Sequence, residues 1–561
     1  MGRLIGAGGA IRAAVFRVLA TRRGLVAVVA VFIAIVAAHL DAIPFWDGKN
    51  YLRCVETAVN TRFSVFNFRC FGHPSVVYLA LWGVTQYARP WSPAPIYAVN
   101  AIVGAASIVA FDALVRRLFP NQEDVEYTLV TALYALAPLF VAHAIFLNLD
   151  FGTTAFAVLF LYFLIAGRFW MAGASGVALI FTKETGLAVC AVTTSAYLAA
   201  FVFQPGRSWG ERAAVLRSHG PLLVVPLALV LYLVVAVVMR HEPGGWVGSY
   251  LPVQAVPDAF DAILNTNLAD ASMRSFVADI FLLNFQWLYT VAVAASLCAA
   301  VIRVDPGQRD RTSVSRRGVF IGLALAGLVY IVTRYRFSNG ARYVLVASPL
   351  LLIAFYHALL ALFTSRWIRA GYLVVAVVLV FVSNFRSIDV VSRAFFGTIP
   401  FGSHRILNMT SLSGGLNLDS IVYNLEFLQL QYLFGDMVED VRPRPGHVLL
   451  MGNAIYNFPP DVDGRDYRLT ANPAHALPLF VAMGDVSREV IASQLRRDGD
   501  LFHYVAFANA DNAQLRSLLA TYEVVATKTY NRFGYTLDLY TFRFTFDRRR
   551  AQRSVLEDRT P

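Results

Sequence analysis

Long apolar stretches recur along the chain up to position 385 and constrain its fold more than any other feature. Eleven of them lie near 24–40, 96–115, 127–147, 152–167, 169–182, 186–203, 220–239, 279–302, 318–333, 343–363 and 370–385. A helix needs about 20 apolar residues to cross the hydrocarbon core of a bilayer. The pattern therefore predicts a polytopic, mainly α-helical membrane protein with about 11 transmembrane helices.

The composition agrees with a chain that is embedded in a membrane. Of its 561 residues, 57% are hydrophobic and 15% are charged, whereas about 25% are charged in typical soluble domains. This balance excludes a disordered chain, a nucleic-acid-binding protein and an ordinary cytosolic enzyme. The net charge is nevertheless +12, so the positions of the basic residues carry information about topology.

The arginines predict the orientation of the helices. Five arginines precede the first apolar stretch, which places the N-terminus in the cytoplasm. A further apolar stretch, 74–88, is short for a span and is bracketed by His73-Pro74 and Arg89-Pro90. If it does not cross, every predicted cytoplasmic loop contains arginine; if it crosses, those loops fall outside. We therefore predict an interfacial helix near 74–88, within a first external loop 41–95.

The chain beyond position 385 has a different character. Strand-like runs lie at His447–Tyr456, Tyr504–Ala508, Tyr522–Tyr530 and Thr536–Phe544, and helix-like patterns lie at 420–439, 487–498 and 511–521. Eleven spans that start inside end outside. The sequence therefore predicts a transmembrane domain at 1–385 and an extracytoplasmic α/β domain with a charged tail at 386–561. Because arginine far outnumbers lysine, as in GC-rich bacterial genomes, we expect a multi-pass protein of the bacterial inner membrane.

The four cysteines fall into two groups. Cys190 and Cys298 lie in predicted spans and are expected to be packed thiols. Cys54 and Cys70 both fall in the first external loop, where an oxidising compartment allows a disulfide. Two buried free thiols are the alternative. No CxxC pair or histidine cluster indicates a metal site.

Charged and polar residues adjoin several spans on the predicted external side, where such residues are costly and usually functional. They are Asp47, Lys49 and Tyr51 after the first span, His73 before the interfacial helix, Asp150 between two spans, Lys183 and Glu184 in a short turn, and Arg334, Arg336, Arg342 and Tyr343 around another turn. The basic residues of this group depart from the positive-inside pattern. Their position on the external side therefore favours a functional site there.

Two carboxylates and several cations on one face favour transfer from a phosphorylated donor. A carboxylate can accept the proton of an attacking hydroxyl. Arginine and lysine can bind a phosphate and stabilise it as it leaves. Each residue also has a structural alternative: a helix cap for Asp47 and Asp150, an ion pair for Lys183 and Glu184, and a solvated or headgroup-bound base for Arg334 and Arg336.

The order of these motifs resembles the GT-C superfamily of membrane glycosyltransferases, in particular the protein O-mannosyltransferase and lipid A aminoarabinose transferase type. The resemblance covers about 24–385. The family motif Asp-Glu-x-x-Tyr corresponds to Asp47-Gly48-Lys49-Asn50-Tyr51, in which Gly48 replaces the glutamate. The remaining matches are Gly72-His73-Pro74 for Lys-Pro-Pro without its lysine, Asp150 for an Asp that enters a span, Thr182-Lys183 for a Thr-Lys pair, and Arg342-Tyr343 with Pro349 for a late Arg-Tyr pair.

The resemblance implies an inverting glycosyltransferase that moves a hexose or pentose from a polyprenyl-phosphate donor to an acceptor hydroxyl. The acceptor would be a glycan, a lipid or a protein. Asp47 would be the general base. Asp150 would help to shape the site or would assist that base. Lys183 and Arg342 would bind the lipid phosphate, with Arg334 or Arg336 assisting. Some superfamily members use a divalent metal, but with only two acidic candidates we expect no essential metal and no cofactor.

Two other functions also fit parts of the pattern. A flippase or transporter of lipid-linked sugars would need charged or broken helices near the midplane, often in a repeat. This chain has its polar motifs at one end of the spans and shows no repeat. A polysaccharide ligase or polymerase that uses a diphosphate-linked glycan shares the arginine and carboxylate chemistry. A mere scaffold for the C-terminal domain would leave the external Arg and Asp residues unexplained.

Overall fold

The computed structural model describes residues 22–42, 47–62, 69–70, 73–88, 92–183, 185–203, 208–238, 280–302, 316–334, 345–386, 389–401, 404–407, 448–451, 500–507 and 513–544, and isolated positions between 425 and 437. The chain divides into two compact units. The first comprises Met1–Asp41, Asp47–Gly397 and Leu407–Glu426, and the second comprises Ala42–Trp46, Thr398–Ile406 and Phe427–Pro561. Each unit is described by itself.

The first unit is a helical bundle. Its helices are α1 Arg22–Ala37, α2 Asp47–Asn60, α3 Val76–Ala88, α4 Ala94–Leu118, α5 Asp124–Ala135, α6 Pro138–Ile145, α7 Leu149–Ile165, α8 Phe169–Ile180, α9 Thr185–Tyr197, α10 Trp209–Ser218, α11 Val224–Val238, α12 Gln286–Ile302, α13 Arg316–Arg334, α14 Ser348–Leu362, α15 Arg366–Ser383 and α16 Val390–Phe396. A π-helical turn, Leu198–Val202, extends α9, and a short antiparallel pair joins β1 Arg69–Cys70 to β2 His73–Pro74. Every apolar stretch identified in the sequence overlaps a helix or a pair of helices.

Several of these helices are long and apolar enough to cross a membrane. Within the described part of the chain there are five by length and composition, or six if α5 and α6 form one span. The chain therefore has the mainly helical, multi-pass character that its sequence predicts. The number of eleven spans stays a prediction, because α1, α7 and α8 are shorter than a full span.

The apolar stretch 127–147 is not one helix but two. The axes of α5 and α6 differ by 51°, and the break falls just before Pro138. Proline has no backbone N–H and clashes with the preceding turn, so it ends α5 and begins α6. The freed carbonyl of Leu136 accepts a hydrogen bond from Asn384 Nδ2 at 2.8 Å. A buried amide at the end of α15 therefore supplies the hydrogen bond that this backbone carbonyl lacks at the break.

Aromatic rings fill the centre of the bundle. The ring of Phe140 on α6 lies 5.5 Å from Phe32 on α1, 4.5 Å from Tyr134 on α5 and 5.0 Å from Phe151 on α7, between centroids. These tilted contacts are the geometry that aromatic pairs prefer. Four helices thus meet at a single ring. The cysteines differ in their packing: Cys190 is buried on α9, whereas Cys298 is exposed on the outer face of α12, where the sequence predicted a packed thiol.

Acidic residues at the beginning of α5 bind arginines from other helices. Glu126 accepts hydrogen bonds from Arg369 on α15, with 2.8 Å between Nη2 and Oε1, and from the hydroxyl of Tyr356 on α14 at 2.8 Å. Both charged side chains are buried. Asp124 binds Arg116 of α4 in the same region. The sequence assigned both arginines to predicted cytoplasmic loops and gave them no partner, and the structure pairs them with carboxylates.

Removing the cation of this buried pair should destabilise the bundle. We expect Arg369→Ala to lower the free energy of unfolding by about 3–5 kcal/mol, because the Glu126 carboxylate would stay buried without its cation. Arg366→Ala is the matched control. Arg366 binds Glu123 at 2.7 Å, but their side chains are 59% and 56% exposed, so the loss should stay below about 1 kcal/mol. Thermal unfolding in detergent measures both, and equal shifts would contradict the expectation.

The second unit contains most of the described strands. β3 Thr398–Phe401 pairs with β4 His404–Leu407. β5 Val448–Met451, β6 Leu501–Phe507, β7 Glu523–Arg532 and β8 Tyr535–Arg543 form a sheet in the order β5-β6-β8-β7, and helix α17 Ala513–Thr521 lies between β6 and β7 in the chain. β5 is parallel to β6, and the other pairs are antiparallel. The four strand-like runs of the sequence each overlap a strand, while a separate α/β domain that begins at 386 stays a prediction.

Candidate functional site

Asp150 and Lys183 form a buried ion pair between two helix ends. Lys183 Nζ lies 2.7 Å from Oδ1 and 2.9 Å from Oδ2 of Asp150. The side chains of Lys183 and Asp150 are only 4% and 5% exposed. Two charges at this depth stay ionised only when they are paired and hydrogen-bonded. The structure thus brings together a proposed carboxylate and a proposed phosphate-binding cation that are 33 positions apart in the sequence.

The beginning of α7 positions the carboxylate of this pair. Asn148 is the N-cap, and its Oδ1 accepts a hydrogen bond from the backbone N–H of Asp150 at 2.9 Å. Asp150 therefore lies in the first turn and does not cap the helix itself. The positive end of the helix dipole stabilises a negative charge there. The helix-cap alternative for Asp150 is wrong, because Asn148 performs that function.

The turn between α8 and α9 positions the lysine. Thr182 Oγ1 donates a hydrogen bond to the carbonyl of Ala178 at 2.7 Å, and Gly186 N–H donates to the carbonyl of Lys183 at 2.8 Å. A Cβ at position 186 would lie 2.2 Å from the backbone oxygen of Leu179. Only glycine fits at that distance. The turn is therefore tight, and its geometry presents Lys183 to Asp150.

Helix α2, which carries the first motif, begins beside the segment that leads to Asp150. A Cβ at Gly48 would lie 3.1 Å from the carbonyl oxygen and 3.3 Å from the Cβ of Leu147. A larger residue at this position would force Leu147 to move. This close approach gives a physical reason why glycine occupies the place of the family's glutamate. Asp47 is the first residue of α2 and immediately precedes Gly48. It is therefore the chain neighbour of the residue that contacts the segment leading to Asp150.

Helix α3 contacts both segments that carry the ion pair. Its Val77 N–H donates to the carbonyl of Phe181 at 3.1 Å, two residues before Lys183. The ring of Tyr78 packs against Gly152, two residues after Asp150. With 13 residues, α3 is about 20 Å long, shorter than the hydrocarbon core of about 30 Å. An interfacial position for this helix stays a prediction, and its length is consistent with that position.

Tyr51 and Cys54 are the other predicted site residues whose side chains are described. Tyr51 lies on α2 and is buried, with its ring centroid 6.4 Å from that of Trp82 on α3. Tyr51 therefore links the first motif to α3. Cys54, one turn further along α2, is disulfide-bonded. Its pairing with Cys70 stays a prediction, because the side chain of Cys70 lies outside the description.

The remaining predicted positions lie outside what the structure describes. They are the side chains of Asp47, Lys49, His73 and Arg334, and the residues Glu184, Arg336, Arg342 and Tyr343. Their proposed roles therefore rest on the sequence. Among the described residues, no three His, Cys, Asp or Glu side chains come together as metal ligands would.

Sequence reasoning missed two asparagines that support the site. Asn148, two positions before Asp150, is a residue type that often caps the beginning of a helix. Its position before an apolar stretch could therefore have predicted the N-cap. Asn100 is a lone amide within the apolar stretch 96–115. A polar residue at such a position is costly and usually has a partner, so it too could have been singled out.

Comparisons with known proteins find similar structures. No family model and no curated protein matches the sequence. ArnT from Cupriavidus metallidurans in the apo state has a TM-score of 0.45 and 15% sequence identity, over 92% of this chain and 97% of that chain. The same protein bound to undecaprenyl phosphate has a TM-score of 0.45 and 14% sequence identity, again over 92% of this chain and 97% of that chain. The arabinofuranosyltransferase AftD from Mycobacteria has a TM-score of 0.40 and 13% identity, over 94% of this chain and 40% of that chain.

These structures share one superfamily. They are GT-C membrane glycosyltransferases.

Proposed function

We propose that this chain is an inverting glycosyltransferase that moves a monosaccharide from a polyprenyl-phosphate donor to an acceptor hydroxyl at the external membrane surface. One observation carries the proposal: the buried pair of Asp150 and Lys183, which three packed segments surround. An ammonium group held by a carboxylate beside a predicted membrane surface is suited to a phosphorylated lipid. The sugar is a hexose or a pentose, and the acceptor is a glycan, a lipid or a protein.

Lys183 binds the donor phosphate in this proposal, and Asp150 positions it. The two hydrogen bonds from Lys183 Nζ to the carboxylate fix the direction of the ammonium group. A preorganised cation stabilises the negative charge that develops on the leaving phosphate. Arg342 contributes a second cation, with Arg334 or Arg336 assisting. This assigns Asp150 the role of shaping the site, which is the first of the two roles that the sequence resemblance implies.

Asp47 is the general base of the proposed reaction. Its carboxylate accepts the proton of the acceptor hydroxyl, whose oxygen forms a bond to the anomeric carbon. The bond between that carbon and the phosphate oxygen breaks on the opposite side, and its electron pair stays on the phosphate. The configuration at the anomeric carbon is thereby inverted. The proposal includes no essential metal and no cofactor, since proton transfer and phosphate binding are both assigned to side chains.

The proposed function also implies an arrangement of domains and an orientation in the membrane. The glycosyltransferase domain at 1–385 lies in the bacterial inner membrane with its N-terminus in the cytoplasm. The region 386–561 lies outside and is available to the acceptor. Undecaprenyl phosphate, which is bound in one ArnT structure, is the first probe for the lipid part of the donor.

A vesicle experiment separates this function from its alternatives. The full chain is reconstituted with a radiolabelled polyprenyl-phosphate monosaccharide and a bacterial envelope fraction as the acceptor source. Vesicles of the double variant Asp150→Leu/Lys183→Met serve as the control. We expect label in a new glycosidic bond together with released polyprenyl phosphate. Movement of the intact lipid between leaflets without a new bond would indicate a flippase. Transfer only from a diphosphate-linked glycan would indicate a ligase or polymerase.

A further inference from the structure

We infer that Asn100 is a positioning residue that holds the segments of Asp150 and Lys183 in register through helix α3. The inference rests on the proposed function, because it assigns Asn100 a role in binding the donor phosphate. Asn100 does not touch the ion pair. It acts through Tyr78 and Trp82, which lie one helical turn apart on α3.

The amide of Asn100 makes three hydrogen bonds in a fully buried environment. Its Oδ1 accepts from the hydroxyl of Tyr78 at 2.8 Å and from the indole Nε1 of Trp82 at 3.0 Å. Its Nδ2 donates to the carbonyl of Ala144 at 2.8 Å. All three side chains are 0% exposed. Burial raises the pKa of the Tyr78 phenol well above its usual range, so the hydroxyl stays protonated and donates.

No smaller or apolar side chain can replace this combination of bonds. An amide oxygen has two lone pairs and can accept from both aromatic residues, while its NH₂ group donates in another direction. Alanine at position 100 would leave a phenol, an indole and a carbonyl without their partners. Buried polar groups that lose their partners move toward other partners or toward water. Helix α3 would then shift relative to α4.

The bonds of Asn100 fix the position of Asp150 from two sides. Ala144 lies in the last turn of α6, immediately before the segment that leads into α7. On the other side, the ring of Tyr78 packs so closely on Gly152 that a Cβ there would lie 2.8 Å from its Cε2. A shift of Tyr78 and a shift of α6 therefore both reach the first turn of α7, where Asp150 lies.

The same helix fixes the position of Lys183. Val77 precedes Tyr78 on α3, and its N–H holds the carbonyl of Phe181 at 3.1 Å. Phe181 ends α8 and begins the turn that contains Lys183. Because this turn is tight, a displacement at Phe181 is transmitted to the ammonium group. One amide therefore controls both partners of the ion pair, although it contacts neither.

A binding measurement on the full chain in detergent tests the inference. The probe is undecaprenyl phosphate, and its affinity is obtained from the ligand-induced shift of thermal unfolding. We expect Asn100→Ala to weaken the affinity about tenfold, because the loss of buried hydrogen bonds displaces the proposed phosphate site. Asn384→Ala is the matched control, since Asn384 is also a buried amide that donates to a backbone carbonyl, that of Leu136 at 2.8 Å. It should lower thermal stability and leave the affinity unchanged.

A second variant keeps the test valid if Asn100→Ala folds poorly. Tyr78→Phe preserves the ring on Gly152 and removes only the hydroxyl that donates to Asn100, so it should weaken the affinity in the same direction but less. Unchanged affinity in the variants of both Tyr78 and Asn100, or an equal loss in Asn384→Ala, would overturn the inference. A wild-type chain that does not bind undecaprenyl phosphate would overturn the proposed function as well, and the two failures are thereby distinguished.

Discussion

Asp47→Asn is expected to lower the rate of glycosyl transfer by roughly 10²–10⁴-fold, the usual contribution of a general base. Asparagine has nearly the same shape as aspartate but cannot accept the proton of the acceptor hydroxyl. Asp47 is the first residue of α2, and its neighbour Gly48 packs against Leu147. An isosteric change should therefore leave this packing intact. The affinity for undecaprenyl phosphate should also stay unchanged, because Asp47 is not assigned to the phosphate.

The measurement is the initial rate of transfer in reconstituted vesicles, compared at equal amounts of folded protein. Asp41→Asn is the matched control, because Asp41 is an exposed carboxylate at the end of the segment that follows α1. It should retain the wild-type rate. Full activity of the Asp47 variant would show that Asp47 is not the general base and that another residue accepts the proton.

Lys183→Met is expected to abolish binding of the lipid phosphate and to destabilise the folded chain by about 3–5 kcal/mol. The second effect follows from burial, since the carboxylate of Asp150 is 5% exposed and would be left without its cation. Asp150→Leu should also destabilise the chain, because the ammonium group of Lys183 would be left buried without its carboxylate. A loss of activity in either variant alone would therefore mix a folding defect with a defect in binding.

The double variant Asp150→Leu/Lys183→Met separates the two effects. Replacing both members of a buried ion pair with apolar residues of similar volume is often neutral or stabilising. We expect thermal stability close to that of the wild type, a strong coupling between the two sites, and no binding of undecaprenyl phosphate. Recovery of binding together with stability would contradict the role of Lys183, and a double variant as unstable as the single ones would contradict the importance of the pair for stability.

Much of the helical architecture could be predicted from the sequence because burial in an apolar environment leaves a direct trace in composition. Each apolar stretch up to position 385 coincides with one or two helices, including the short α3. Strand-like runs near the C-terminus likewise coincide with β5 to β8. What these patterns do not contain is the angle at which one helix meets the next. The break between α5 and α6 was signalled by Pro138, yet the stretch was interpreted as a single helix.

The candidate site was only partly predictable, for a related reason. Asp150 and Lys183 were each singled out by their charge beside an apolar stretch. Their mutual contact depends on how α7 packs against α8 and α9, and no local pattern specifies that packing. The sequence therefore offered only the neighbouring Glu184 as a partner for Lys183, and it did not indicate the contact with Asp150 that the structure contains. Arg369 was assigned only to a predicted cytoplasmic loop for the same reason, since its partner Glu126 is more than two hundred positions away.

The hydrogen bond between Val77 and Phe181, which joins α3 to the lysine turn, is made entirely by main-chain atoms. Every residue except proline supplies the same N–H, and every residue supplies the same carbonyl. The attachment is consequently insensitive to most changes of side chain at either position. The exposed side chains of α3 are thus free to diverge while the lysine turn stays tethered to the helix.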